Sequence, residues 1–157
     1  MGPETPLRIS SPADVATITD LVAGFRDFMG SDKPDKATIE VVVSELVGDR
    51  NTEFILVGEP PIGFCQVRYR LSVWTGTEDA WIEDVYVDES ARGNGYGRML
   101  CEAAIQSAVG RGCKRIQLDV NQDNKAAIAL YESLNFVTIH NEDKWEAADL
   151  MMTRQLP

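Results

Sequence analysis

The spacing of hydrophobic residues changes repeatedly along the chain and divides it into strands and helices. Short apolar runs rich in β-branched and aromatic residues predict seven strands, at residues 7–10, 54–57, 62–73, 80–87, 115–120, 136–139 and 150–156. Apolar residues three and four positions apart predict four helices, which carry Val15, Ile18, Val22 and Phe25, then Ile39, Val42, Val43 and Leu46, then a stretch over residues 97–111, and finally Ala127, Leu130, Tyr131 and Leu134.

Turn and capping residues separate these elements. Ser11 and Asp14 form a capping-box pattern with Pro12 in the first turn, and Asn135 suits the left-handed residue that commonly ends a helix. Residues 58–61, Gly-Glu-Pro-Pro, mark a hairpin turn. No repeat or linker interrupts the chain. We therefore expect one α/β domain over residues 1–157, with a central twisted mixed sheet of about seven strands and four helices on both faces.

The composition excludes several classes of protein. The 157 residues are 44% hydrophobic and 25% charged, which suits a single domain with its own core. A net charge of −10 repels phosphate backbones and anionic lipid, so we expect neither nucleic acid nor a membrane as partner and favour a cationic substrate. No apolar run reaches the ~18 residues that span a bilayer, and no signal peptide is recognisable, which points to the cytoplasm.

The cysteines and the histidine limit the chemistry further. There are three cysteines, Cys65, Cys101 and Cys113, and they are far apart in the sequence. This number and spacing fit neither a zinc cluster nor a disulfide framework, and they predict buried free thiols. His140 is the only histidine, so a Ser-His-Asp hydrolase or a two-histidine metal site lacks its parts. We therefore expect no metal.

A glycine-rich segment after a predicted strand is the densest chemical signal. Residues 85–98 run from the strand through Gly93, Gly95 and Gly97 into a helix. Glycines allow several N–H groups to point one way, and a helix start adds partial positive charge, so a pyrophosphate fits there. A dinucleotide fingerprint fails because Arg98 stands where its third glycine is required, and no Gly-Lys-Ser/Thr of an ATP loop follows.

This segment resembles the phosphate loop of the GNAT superfamily of acetyl-CoA-dependent N-acetyltransferases. The loop has the form Arg/Gln-x-x-Gly-x-Gly/Ala and is matched by Arg92, Gly95 and Gly97. Residues 124–136 resemble a second family block, Asn-x-x-Ala-x-x-x-Tyr-x-x-x-Gly-Phe, with Asn135 in place of the glycine. The order of elements is also similar to that of the family along nearly the whole chain.

The resemblance implies that acetyl-CoA is the cosubstrate. Its pantetheine arm would lie along strand residues 83–87 and pair with backbone groups much as an added strand does. Its pyrophosphate would meet the amides of residues 93–98, with Arg92 and Arg98 adding positive charge and Asn124 a hydrogen bond. The cofactor-binding residues implied are Val85, Tyr86, Val87, Arg92, Gly93, Asn94, Gly95, Tyr96, Gly97, Arg98, Asn124 and Tyr131.

Tyr131 is also the implied general acid. The helix pattern alone predicts a core aromatic at this position. In the family, the matching tyrosine lies near the thioester sulfur, where its hydroxyl can protonate the departing thiolate.

Glu83 and Asp84 interrupt an apolar strand, where an ionised carboxylate is costly unless water or a partner reaches it. A protonated amine must lose a proton before it attacks, and we take Glu83 as the first candidate base and Asp84 as the second, acting directly or through water. Alternation along the strand places Glu83 on the face of Trp81, Val85 and Val87. One of the two acids could instead pair with a buried arginine, Arg68 or Arg70.

These signals together predict an N-acetyltransferase that transfers the acetyl group directly to a primary amine. Strand residues 82–87 resemble those of polyamine and aminoglycoside acetyltransferases, and six acids between residues 78 and 89 could steer a small cationic amine, although such charge runs are often only a solvated face. A peptide N-terminus or a lysine side chain is an alternative acceptor. A non-catalytic CoA-binding regulatory module is an alternative function. Residues 29–36, 72–79 and 141–148 are the expected specificity segments. Homodimers are common in the family.

Overall fold

The computed structural model describes residues 4–139 and 149–157. Its strands are β1 (Leu7–Ile9), β2 (Thr52–Val57), β3 (Gly63–Leu71), β4 (Glu78–Val87), β5 (Arg115–Asn121), β6 (Val137–Thr138) and β7 (Asp149–Gln155). Its helices are α1 (Val15–Phe28), α2 (Lys36–Gly48), α3 (Tyr96–Gly110) and α4 (Lys125–Ser133). The predicted order of elements is confirmed. His140 and the predicted specificity segment 141–148 lie outside the described residues.

The strands form one seven-stranded mixed sheet in the order β1-β2-β3-β4-β5-β7-β6. The pair β4–β5 is parallel, and the other neighbouring pairs are antiparallel. Helices α1 and α2 pack on one face, around a cluster that includes Phe54, Phe64 and Tyr86. Helices α3 and α4 contribute to a larger cluster on the other face, which includes Leu100 and Tyr131. The predicted mixed sheet with helices on both faces is therefore confirmed.

Element ends differ from the predictions where a turn begins. Strand β3 ends at Leu71 rather than at residue 73, because the Ser72 N–H already donates across the hairpin to the Thr77 carbonyl. Helix α3 starts at Tyr96, directly after Gly95, whose φ of 82° only glycine adopts without strain. Asn135 has a φ of 67° after α4, as expected for a left-handed helix end.

The predicted capping box of Ser11 and Asp14 is present at the turn that precedes α1. Asp14 accepts hydrogen bonds from the Ser11 backbone N–H at 2.8 Å and from two nitrogens of Arg8 at 2.7 Å each. The first turn, Pro12–Asp14, is a 3-10 turn, and α1 proper begins at Val15. The Arg8 hydrogen bonds lower the pKa of Asp14 to about 2, despite the opposing effect of burial.

All three cysteines are buried, as predicted, and they lie in the cluster under α3 and α4. Cys65, Cys101 and Cys113 are free thiols and at most 1% exposed. Burial raises the pKa of each thiol, so none of them is a ready nucleophile at neutral pH.

A β-bulge changes the direction of side chains in β4. Gln66 lies opposite Asp84 and Val67 lies opposite Ile82, so Glu83 is an extra residue without a partner on β3. The alternation of faces is therefore interrupted at Glu83.

Beyond this point, β4 and β5 separate. Their parallel ladder contains Ala80–Ile116, Trp81–Gln117 and Ile82–Leu118, and it stops there although both strands continue. The later residues of β4 and β5 thus line a gap in the middle of the sheet.

Candidate active site

A cavity of about 820 Å³ fills the gap between the diverging strands. Its walls are residues 82–87 of β4, residues 118–121 of β5, parts of the glycine segment 91–97, and residues 124–131 at α4. The C-terminal end of α1 closes one side with Phe25, Phe28 and Met29. The cavity therefore brings together the bulge in β4, the glycine segment and helix α4 with Tyr131, which are separate in the chain.

Alternate backbone groups of β4 point into this gap. The Asp88 N–H donates to the Ile62 carbonyl at 2.8 Å, which sets the alternation of hydrogen-bonded and non-hydrogen-bonded pairs along the β3–β4 ladder. Val85 and Val87 fall at non-hydrogen-bonded positions, so their N–H and C=O groups face away from β3. The Nε of Arg92 donates to the Val87 carbonyl at 3.0 Å. The Val85 groups remain available to an extended ligand.

The glycine segment presents backbone N–H groups at the mouth of the cavity. Gly93 and Gly95 have φ values of 80° and 82°, and apart from the adjoining residues no described atom lies within 4 Å of where a Cβ would stand on either glycine. Glycine is therefore needed here for its backbone conformation and not for space. The Asn94 side chain stabilises the loop by donating to the Ala91 carbonyl at 2.9 Å. The first turn of α3, which begins at Tyr96 and includes Gly97, adds N–H groups without intrahelical partners.

The two arginines of this segment differ in their surroundings. Arg92 lines the cavity, and its guanidinium carbon lies 3.9 Å from the centre of the Phe28 ring. Arg98 points elsewhere, because its Nε donates to Glu102 at 3.0 Å and its Nη1 to the Ser133 hydroxyl at 2.8 Å. Of the two predicted phosphate-binding side chains, the structure places Arg92 at the cavity. We expect Arg98 to contribute its backbone N–H.

Asn124 is the N-cap of α4 and also lines the cavity. Its side-chain oxygen accepts from the Ala127 N–H at 3.2 Å. The cap uses the amide oxygen and leaves the side-chain N–H groups available to a ligand.

Tyr131 lies on α4 with its side chain against the gap. The residue is 8% exposed, and its ring packs edge-on against Phe136 with 5.8 Å between ring centres. Burial raises the pKa of its hydroxyl well above the usual value, with smaller contributions from nearby groups that include the Asp84 carboxylate. Tyr131 is therefore protonated at neutral pH, as a general acid must be.

Asp84 and Glu83 differ in exposure. Glu83 is exposed at the bulge, whereas Asp84 is partly buried beside the cavity. Burial, followed by repulsion from Glu83, raises the pKa of Asp84 to about 6.

The predicted faces of β4 are wrong at the bulge. Ladder partners share a face, so Asp84 and Trp81 lie on the α1 and α2 side, and Val85 and Val87 lie on the other. The sequence could not reveal this change, because the alternation rule assumes an uninterrupted ladder.

The six acids between residues 78 and 89 serve different purposes. Glu78 pairs with Arg111 and Asp79 with Arg115, and Asp88 accepts from Ser90 in a turn. The alternative that Glu83 or Asp84 pairs with Arg68 or Arg70 is not realised in the described part of the chain. Arg70 instead lies over the Trp81 ring, 5.7 Å from its centre.

Several cavity residues were not singled out by the sequence. Asp119 on β5 and Asp149 on β7 add carboxylates, and burial raises the pKa of Asp119. Phe28 follows Phe25, the last residue of the predicted apolar face of α1, and is 54% exposed. Tyr86, which the resemblance placed at the cofactor, lines the cavity, and its ring packs between Phe25 and Phe64.

Among residues 4–139 and 149–157, no helix is long and apolar enough to cross a bilayer. No group of three or more metal-ligating side chains is found in the same ranges.

Comparison with known proteins places these features in one family. The model of the acetyltransferase (GNAT) family matches residues 18–136. A pig protein (Sus scrofa) named thialysine N-epsilon-acetyltransferase is 34% identical over 95 residues, which cover 57% of this chain and only 55% of the pig protein. The bovine protein (Bos taurus) of the same name is 26% identical over 150 residues, 88% of each chain.

Solved structures agree in fold along nearly the whole chain. A putative acetyltransferase from Arthrobacter sp. FB24 superposes with a TM-score of 0.81 at 25% identity and covers 92% of both chains. An acetyltransferase of the GNAT family from Streptococcus pneumoniae superposes with a TM-score of 0.73 at 19% identity and covers 98% of this chain and 100% of its own. Since the family model spans well over half of the residues, this chain belongs to the acetyltransferase (GNAT) family.

Proposed function

We propose that this protein transfers the acetyl group of acetyl-CoA directly to a primary amine of a small cationic molecule. The gap between β4 and β5 carries the proposal. It combines free backbone groups on β4, N–H donors at the glycine segment, and Asp84 and Tyr131 at one cavity. The pantetheine arm would extend β4 along Val85, and the pyrophosphate would meet residues 93–97 and Arg92.

Asp84 is the better of the two candidate bases. With a pKa of about 6, its carboxyl is mostly ionised at pH 7 and still basic enough to accept a proton. Glu83 also lines the cavity, but it is more exposed than Asp84 and is the weaker candidate. This order reverses the one that the sequence alone suggested.

The acetyl group passes directly from the thioester to the amine, without a covalent intermediate on the protein. Asp84 takes a proton from the ammonium form of the acceptor, directly or through a water molecule, and the neutral nitrogen then attacks the thioester carbon and loses its second proton to water. The Val85 N–H faces the gap and would stabilise the oxyanion. The C–S bond then breaks, and the thiolate takes the Tyr131 hydroxyl proton. The buried cysteines have raised pKa values, which argues against an acetylated cysteine intermediate.

The charge of the site supports a cationic acceptor. Glu83, Asp84, Asp119 and Asp149 line the cavity, and Arg92 is the one cationic side chain among its lining residues in the described part of the chain. The pig and bovine relatives are named for acetylation of the side-chain amine of thialysine, a lysine analogue. Both observations favour polyamines and lysine-like amines over uncharged acceptors.

The test is acetyl-CoA-dependent thiol release with polyamines, aminoglycosides, lysine analogues and short peptides. An amine-free control subtracts the protein's three thiols. Turnover with a multiply charged small amine, reduced by Asp84→Asn and by Tyr131→Phe but much less by Glu83→Gln, is the expected result. Turnover only on peptides would favour a peptide N-terminus or lysine side chain. Tight binding of both acetyl-CoA and CoA without turnover on any amine would favour a CoA-binding regulatory module.

A further inference from the structure

Phe28 is an exposed aromatic residue in direct contact with the glycine segment. It is the last residue of α1, and 54% of its surface is exposed. The guanidinium carbon of Arg92 lies 3.9 Å from its ring centre, within cation–π distance. A ring this exposed contributes little to the hydrophobic core, so its contact with Arg92 needs a separate explanation.

Arg92 is held on several sides without losing its charge. Its Nε donates to the Val87 carbonyl at 3.0 Å, one face lies against Phe28, and the Tyr86 ring centre is 5.7 Å from its guanidinium carbon. A guanidinium carries five N–H groups, so the four on its two Nη atoms remain for another acceptor. These contacts orient the side chain and leave its outer edge for a diphosphate.

Arg98 provides the contrast within the same segment. Its guanidinium is paired with the Glu102 carboxylate, which offsets its positive charge. No carboxylate of residues 4–139 or 149–157 forms such a pair with Arg92. An aromatic face restrains an arginine without neutralising it, which is what an anion-binding arginine needs.

We propose that Phe28 is a positioning residue for the cofactor: its ring holds the Arg92 guanidinium in the orientation that binds the diphosphate of acetyl-CoA. The inference rests on the proposed function, because it requires that diphosphate to bind at the glycine segment. It also links the end of α1, which borders the predicted specificity segment 29–36, to the affinity for acetyl-CoA. Loss of the ring frees Arg92 to sample other rotamers, and binding must then restrict them again.

The direct test replaces the ring and measures acetyl-CoA affinity by calorimetry alongside steady-state kinetics. Phe28→Leu should raise the Kd and KM for acetyl-CoA about two- to fivefold, the range of an exposed cation–π contact, with kcat unchanged. Phe28→Tyr keeps the aromatic face and should restore the affinity. Val41→Ala removes an apolar side chain that is 62% exposed on α2, outside the cavity lining and the predicted specificity segments, and serves as the control.

Two further measurements separate a positioning role from a merely structural one. Acetylpantetheine lacks the diphosphate, so its KM should be the same for Phe28→Leu and the wild type. In an Arg92→Met background, Phe28→Leu should have no further effect on acetyl-CoA affinity. Equal weakening toward both acetyl donors, or an undiminished effect without Arg92, would overturn the inference.

The outcomes also distinguish this inference from the function on which it rests. If the wild type binds and uses acetyl-CoA but Arg92→Met binds it equally well, the positioning role fails and the acetyltransferase proposal stands. If the wild type binds no acetyl-CoA, both fail together.

Discussion

Replacing Asp84 with asparagine should abolish most activity and at the same time stabilise the fold. The pKa of this carboxyl stands near 6 in the folded protein, against an ordinary value of 3.8, because burial and then Glu83 disfavour its ionised form. At 1.36 kcal/mol for each tenfold change in proton affinity, holding the carboxylate ionised at pH 7 costs the folded state up to about 3 kcal/mol.

The sign of the pH dependence follows from the direction of this pKa change. A raised pKa in the folded state means that the folded protein binds the proton more tightly than the unfolded chain. The contribution of Asp84 to stability is therefore largest below pH 3.8 and is lost as pH rises through about 6. Asparagine has nearly the same shape and no charge, so the Asp84→Asn protein should escape this loss.

Urea unfolding at pH 7 and at pH 4 measures the effect. We expect Asp84→Asn to exceed the wild type by about 1–3 kcal/mol at pH 7 and by much less at pH 4. Glu83→Gln is the matched control, and its exposed position predicts a change below about 1 kcal/mol. If Asp84→Asn were no more stable than the wild type at pH 7, the claim that burial disfavours the ionised form of Asp84 would be refuted. The loss of turnover should be about 10²–10⁴-fold if Asp84 is the base.

Three other substitutions test separate parts of the structure. Tyr131→Phe should lower kcat about 10²-fold or more and leave the acetyl-CoA Kd unchanged by calorimetry, since the phenyl ring keeps the packing and only the proton is lost. Asp14→Asn should destabilise by about 1–2 kcal/mol at pH 7 in urea unfolding; because the pKa of Asp14 is lowered to about 2, this difference should disappear as pH falls from 3.8 through 2. Gly63→Ala should lower the free energy of unfolding by about 1–3 kcal/mol, because the added Cβ would lie 2.7 Å from the Tyr86 carbonyl oxygen. Equal thermal stability of the variant and the wild type would contradict this expectation.

The order and type of the elements were predictable because they depend on local patterns. Helices and strands differ in hydrophobic period, and the cap at Asp14 and the left-handed Asn135 follow from side-chain and backbone preferences of single residues. The two motifs were recognisable for the same reason. Each of them, residues 92–97 and 124–136, lies within one short stretch of chain.

The ranking of the two acids was not predictable in the same way. Glu83 and Asp84 are neighbours of like charge, and their different environments come from a bulge that depends on the register of β3. A bulge leaves one residue without a cross-strand partner, and the β3 residues that face its neighbours, Gln66 and Val67, lie about 17 residues earlier in the chain. The same limit applies to the contacts of Arg92 with Phe28 on α1 and of Arg98 with Ser133 on α4, which join residues distant in sequence.

The sequence by itself determined the fold class, the family motifs and the chemical types of the candidate residues, because hydrophobic period, glycine conformation and residue identity are properties of the local chain. Only the tertiary structure decided that β4 and β5 separate after Ile82 and Leu118, that Asp84 is more buried than Glu83, and that Phe28 lies against Arg92. These features arise from contacts between segments far apart in the chain. Their burial and electrostatics depend on packing, which no local pattern records.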